Sequence, residues 1–188
     1  MNVASQDPFD PLPSLTLVLG GARSGKSAYA EGLIATRGAG VYLATAEAGD
    51  AEMADRIRRH KARRGDAWTT VEAPLDPVAA LQKLRPLKGP VLLDCLTLWL
   101  SNVMAADHDP ESEGERLLAG LKGLGVPVVA VSNEVGLGIV PDNALARAFR
   151  DAAGRLNQRT AAVADRVVFV AAGLPMVLKD PLRVEPNR

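Results

Sequence analysis

With 188 residues, 47% of them hydrophobic, the chain is long enough for one sizeable core and short for two independent domains. Its twenty-two basic and twenty-two acidic side chains leave no net charge, so nothing global points to a nucleic-acid or membrane-surface partner, and any anion site has to be local. The single cysteine, Cys95, excludes an internal disulfide framework, fits a reducing cytoplasm and reads as a small buried side chain.

Residues 1–14 carry Pro8, Pro11 and Pro13 among polar neighbours and read as a flexible extension without the charged-then-apolar pattern of a signal peptide. Residues 15–188 read as a single domain. No apolar run approaches the roughly 20 residues of a membrane-spanning helix, so a soluble, cytoplasmic protein is expected. Residues 15–19 form a continuous apolar run that predicts a buried strand, and residues 28–35 predict a helix. Between them Gly20-Gly21-Ala22-Arg23-Ser24-Gly25-Lys26-Ser27 fits the phosphate-binding pattern G-x-x-x-x-G-K-[ST] at every fixed position. A second βα unit follows, with a strand at 41–44, then Thr45-Ala46-Glu47, and a helix at 51–64.

A weakly alternating strand at 68–71 ends near Glu72, and residues 78–84 predict a short helix. After Gly89-Pro90 the apolar run 91–93 ends in Asp94, and residues 96–104 predict a buried helix. Residues 107–115 are polar and acidic and read as a solvated loop, with a helix from about Glu113 to Lys122. The β-branched run at 126–131 predicts another strand, followed by a glycine-bearing loop over 133–138. The longest helical pattern, 143–165, places Leu145, Phe149, Ala152, Leu156 and Val163 near one face, and a strand at 167–170 closes the regular pattern. Short apolar strands alternating with helices imply an α/β fold whose mostly parallel sheet is covered on both faces, with ligands at the carboxyl ends of the strands.

The chemistry starts at the loop. Glycines let backbone curl around phosphate oxygens, and the first helical turn leaves unpaired N–H groups aimed at them. The helix dipole is worth only about 0.3–1 kcal/mol, against roughly 8 kcal/mol for micromolar binding, so charge has to be added. Lys26 supplies it at the β- and γ-phosphates, and the Ser27 hydroxyl and the strand-end carboxylate of Asp94 are the candidate magnesium ligands. Glu134, at another strand end, either orients a nucleophile or bonds its own loop backbone. Two separated histidines and one cysteine show no metal-ligand spacing. His108 lies between Asp107 and Asp109 and reads as solvated.

His60 shares the apolar face of the 51–64 helix with Met53 and Ile57, while Arg56, Arg58, Arg59, Lys61, Arg63 and Arg64 crowd around it. Taken alone, this favours a partly buried histidine on a basic, solvated helix. The sharper alternative is that the cations gather a triphosphate and the imidazole, largely neutral near pH 7, attacks phosphorus.

In order along the chain, residues 20–27, Ala44-Thr45-Ala46, the stretch 53–64 around His60, Leu93-Asp94-Cys95-Leu96-Thr97, Ser132-Asn133-Glu134-Val135-Gly136, Phe149-Arg150-Asp151 and Gly154-Arg155-Leu156-Asn157-Gln158 resemble one family. It is the bifunctional adenosylcobinamide kinase/adenosylcobinamide-phosphate guanylyltransferase family of cobalamin assembly. The resemblance implies phosphorylation of adenosylcobinamide with GTP or ATP, then transfer of GMP from GTP to adenosylcobinamide phosphate. It places His60 at the guanylylated position and Thr45, Ala46, Glu47, Lys61, Ala62, Arg63, Arg64, Glu72 and Asp94 around the nucleotide. It further implies a RecA-like P-loop NTPase fold and a homotrimer. The rival readings are a P-loop switch or motor and a simple small-molecule kinase. The guanine-reading tetrad N-K-x-D of switch GTPases is absent, since Asn133 is followed by Glu134-Val135.

Overall fold

A computed structural model describes residues 11–46, 58 and 68–180. Twelve elements alternate along these residues: β1 (Leu15–Gly20), α1 (Lys26–Ala35), β2 (Gly40–Ala44), β3 (Trp68–Glu72), α2 (Pro77–Gln82), β4 (Val91–Asp94), α3 (Leu96–Ala105), α4 (Pro110–Lys122), β5 (Val128–Asn133), α5 (Ala144–Val163), β6 (Arg166–Ala171) and β7 (Leu174–Lys179). The helix expected over 51–64 lies outside the described residues except for Arg58, which is helical and exposed.

The seven strands form one sheet in the order β3-β2-β4-β5-β1-β6-β7. Every pairing is parallel except β6 with β7. The mostly parallel α/β sheet expected of a P-loop fold is therefore the one observed. β1 and β2 are buried along their whole length, which is why they read as unbroken apolar runs and not as alternating ones. Alternate residues of each strand feed two separate cores. Leu15, Leu17 and Leu19 of β1 join Leu43, Leu93, Trp99, Leu100, Leu121 and Leu156 on the face covered by α2 to α5. Val18 joins Ala30, Leu33 and Ile34 of α1 on the opposite face, with Tyr42, Leu92, Val129 and Val168. Each fully buried aliphatic side chain here contributes about 1.5–3 kcal/mol. Leu12 is buried in this second cluster, and the Ser14 carbonyl accepts from the Val128 N–H (2.9 Å), so the stretch before β1 joins the fold at these two residues.

Three expectations are corrected. The acidic stretch 107–115 is largely helix: α4 starts at Pro110, where Asp109 accepts from the N–H groups of Glu111 and Ser112, and only a short turn precedes it. Glu111 reaches across to Arg155 (2.6 Å) and Arg159 of α5, so the negative charge holds two helices together instead of lining a loop. Leu145 does not share the buried face of α5, being 73% exposed in its first turn. Finally, the sheet does not end at β6: Ala172 and Gly173, with φ of 51° and 80°, make a two-residue hairpin turn into β7.

Candidate active site

β1 delivers the chain to Gly20 at the carboxyl edge of the sheet, and the loop from there to Lys26 opens α1. Gly25 sits in the left-handed region (φ 94°) at the N-cap, a conformation that favours glycine, and no side chain caps the helix. The first turn of α1 holds no acidic residue, so its N–H groups present unopposed positive potential. Gly20 has no room for a side chain: a Cβ there would lie 2.5 Å from both Ser24 Oγ and the Val170 carbonyl oxygen.

The loop is held from several directions. The Ser24 N–H donates to the Gly21 carbonyl (3.3 Å), and Lys26, itself buried, turns its ammonium back to the same carbonyl (3.0 Å). The Gly173 N–H in the β6–β7 turn donates to the Ser24 carbonyl (2.8 Å), while the Glu134 N–H donates to that of Gly20 (3.1 Å). Ser24 Oγ is buried with no hydrogen-bond partner among the described residues. An enclosed loop with a buried ammonium and an orphaned hydroxyl suits an anionic group bound within it.

Across the sheet edge, β5 separates β1 from β4, so Asp94 stands two strands from the loop. Its half-buried carboxylate accepts from the Tyr42 hydroxyl (2.6 Å). Thr45 follows β2 and is fully buried. Its hydroxyl accepts the Cys95 N–H (2.9 Å) and donates to the Cys95 carbonyl (2.8 Å), and its N–H donates to the Asp94 carbonyl (3.2 Å). Asn102 of α3 in turn donates to the Thr45 carbonyl (2.8 Å), so the Thr45 hydroxyl is committed to fixing the Asp94–Cys95 turn. Burial, with the Asp94 charge adding to it, pushes the Cys95 thiol up to about 11. It is the small buried side chain expected.

Gly20 to Ser27, Asp94, Thr45, Ala46 and Glu72 therefore all lie at or just beyond the carboxyl ends of parallel strands. Glu72, exposed at the end of edge strand β3, is in register with Ala44. Glu134 bonds its own loop, its carboxylate accepting the Gly136 N–H (2.7 Å). His108 is exposed, as expected. Glu47, His60, Lys61, Ala62, Arg63 and Arg64 lie outside the described residues.

Sequence reading gave no individual role to several residues that shape this edge. Tyr42 is a hydroxyl inside an apolar strand, and Thr97 and Asn157 are polar residues on the buried faces of α3 and α5. Asn157 follows Ala153 at i+4 and precedes Thr160 at i+3, all three buried, and a polar residue on such a stripe is the available signal. Magnesium, a hard cation, takes oxygen ligands and keeps phosphate and water in its shell. The Ser27 hydroxyl and the Asp94 carboxylate fit that donor preference.

Comparison with known proteins covers nearly the whole described fold. Residues 16–178 match the profile of the family described as cobinamide kinase / cobinamide phosphate guanyltransferase. The chain is 49% identical over 170 residues to the bifunctional adenosylcobalamin biosynthesis protein CobP of Pseudomonas aeruginosa, covering 88% of this chain and 98% of that protein. It is 42% identical over 182 residues to the bifunctional adenosylcobalamin biosynthesis protein CobU of Salmonella typhimurium and 40% identical to CobU of Escherichia coli, with 88% of this chain and 99% of each relative aligned.

Proposed function

The chain belongs to the cobinamide kinase / cobinamide phosphate guanyltransferase family, and we propose that its two reactions run on the one phosphate cradle at residues 20–27. It is an enzyme of cobalamin biosynthesis that phosphorylates adenosylcobinamide and then transfers GMP to adenosylcobinamide phosphate. The observation that carries the shared cradle is the loop itself. A capless helix N-terminus, the buried Lys26 and the backbone clamps from Glu134 and Gly173 enclose one anion site at the strand ends.

In the kinase step Lys26 stabilises charge on the γ-phosphoryl as it passes from GTP or ATP to the substrate alcohol. Ser27 and Asp94 would hold magnesium, which would supply neutralisation of phosphate charge when bound. In the second step His60 is the nucleophile. A ring nitrogen forms a P–N bond to the α-phosphorus of GTP and the bond to pyrophosphate breaks. A phosphate oxygen of adenosylcobinamide phosphate then attacks the same phosphorus, the P–N bond breaks, and adenosylcobinamide-GDP leaves. Thr45, Ala46, Glu47, Lys61, Ala62, Arg63, Arg64 and Glu72 surround the nucleotide in this reading. The support for His60 is its place in the 53–64 motif within a chain matched across residues 16–178.

Incubation of the full chain with adenosylcobinamide and GTP, read by product mass, tests the function. Adenosylcobinamide phosphate followed by adenosylcobinamide-GDP is expected. Nucleotide hydrolysis with unchanged adenosylcobinamide would point to a switch, and arrest at the phosphate to a simple kinase.

A further inference from the structure

β5 is the strand between the loop strand β1 and the Asp94 strand β4, so whatever stands at its carboxyl end stands between the phosphate loop and the carboxylate. That residue is Asn133, in register with Gly20. Its backbone is fixed at both polar groups by side chains from two helices. Thr97 of α3 accepts the Asn133 N–H through Oγ1 (2.7 Å), and Asn157 of α5 donates through Nδ2 to the Asn133 carbonyl (3.2 Å). Both supporting side chains are buried, at 7% and 6% exposure, and Thr97 is braced by the Ser132 hydroxyl at 3.3 Å. The next residue, Glu134, gives its N–H to the Gly20 carbonyl, which ties the β5 end to the first residue of the loop.

The Asn133 side chain itself is half-buried, and its Nδ2 makes a 3.9 Å contact with Cys95 Sγ. A neutral thiol sulfur is a weak acceptor, so the amide donor is held in place beside Asp94–Cys95 without a strong partner. We propose that the Asn133 carboxamide donates to the terminal phosphate of the bound nucleoside triphosphate, and that Thr97 and Asn157 are the positioning residues that hold it there. Because β5 lies between the loop strand and β4 and Asn133 is in register with Gly20, the carboxamide stands beside the residue 20–27 cradle on the side of Asp94. A nucleoside diphosphate, which lacks that group, gains nothing from Asn133. The assignment rests on the cradle reading above, but not on the identity of the corrinoid substrate or on His60.

The test is equilibrium binding of GDP and of the β,γ-imido analogue of GTP to the full chain with magnesium, with thermal unfolding recorded for each variant. Losing one hydrogen bond to a charged group, Asn133→Ala should weaken the imido analogue about tenfold and leave GDP within about twofold. Asn133→Asp, which keeps the shape and places a negative charge by the phosphate, should lose the analogue at least as strongly. Thr97→Val should show the same selective loss, and Thr97→Ser should restore wild-type discrimination. Equal effects on both nucleotides, or none, in the Asn133 variants would overturn the proposal, and wild-type discrimination in Thr97→Val would overturn the positioning role. A wild-type chain that binds neither nucleotide would contradict the cradle itself.

Discussion

Gly20 shows how little freedom the phosphate loop has. A methyl group there would meet both the Ser24 hydroxyl and the backbone carbonyl of Val170, and the latter cannot rotate away. Gly20→Ala should therefore cost about 1–3 kcal/mol in overpacking and displace the loop, read as a lowered unfolding midpoint together with weakened nucleotide binding. Lys26→Ala removes the buried ammonium while leaving the backbone cradle, so it should slow both the kinase and the guanylyl-transfer reactions by at least tenfold in kcat/KM. Full kinase activity in that variant would contradict the assignment. Thr45 acts through Cys95: Thr45→Val leaves a buried N–H and carbonyl without their partner and should destabilise the fold by about 1–3 kcal/mol. The Cys95 thiol adds a pH dependence. Its pKa is raised by burial from 9.0 to about 11 in the folded protein, so the unfolded chain loses this proton first as pH rises. The stability it contributes is complete below about pH 9 and lost through about pH 11, an alkaline decline that Cys95→Ala should reduce in denaturation curves.

The helices and strands fall into those that announce themselves and those that do not. β1, β2, β4 and β5 were legible because both faces of a parallel strand are buried and the run stays apolar. β7 was not. It is an edge strand with Pro175 inside it and Leu174, Met176 and Leu178 left exposed, so both its composition and its burial depart from the interior pattern. The signal that remained was the two-residue spacing at Ala172-Gly173 between apolar runs. Only the first turn of α4 was masked, by its own charge, because Glu111 serves the helix N-terminus and the α5 arginines instead of solvent. The β6–β7 hairpin has a consequence for the site, since Gly173 clamps Ser24 while Arg166 and Asp180, 7% and 13% exposed, pair at 3.3 Å to hold the β7 end. Breaking a pair this buried from one side costs about 3–5 kcal/mol, so Asp180→Ala should lower the denaturation midpoint and loosen nucleotide binding with it. A stable variant with unchanged affinity would show that the hairpin does not brace the loop.

At the scale of the molecule, strand order is what no residue pattern discloses. The sequence places Gly20, Asp94 and Asn133 at strand ends, but that β5 lies between β1 and β4 follows from how the sheet is assembled. The resemblance implies a homotrimer, and we propose that large exposed apolar side chains, among them Leu137, Ile139, Val140 and Leu145 as well as the β7 face, are available to contacts between copies. Light scattering should return three chain masses, and a single chain mass would refute the trimer. From the residues alone the nucleophile was legible only as one reading of a basic stretch, and the motif around His60 is what supports the proposal. Because one cradle is asked to serve displacement at γ and at α, the covalent step is the claim on which the account turns. The full chain incubated with magnesium and GTP labelled at the α-phosphorus should retain label that survives base and is released by acid, as a histidine phosphoramidate does, and His60→Ala should abolish it. Undiminished labelling of His60→Ala, or no labelling of the wild-type chain, would contradict it.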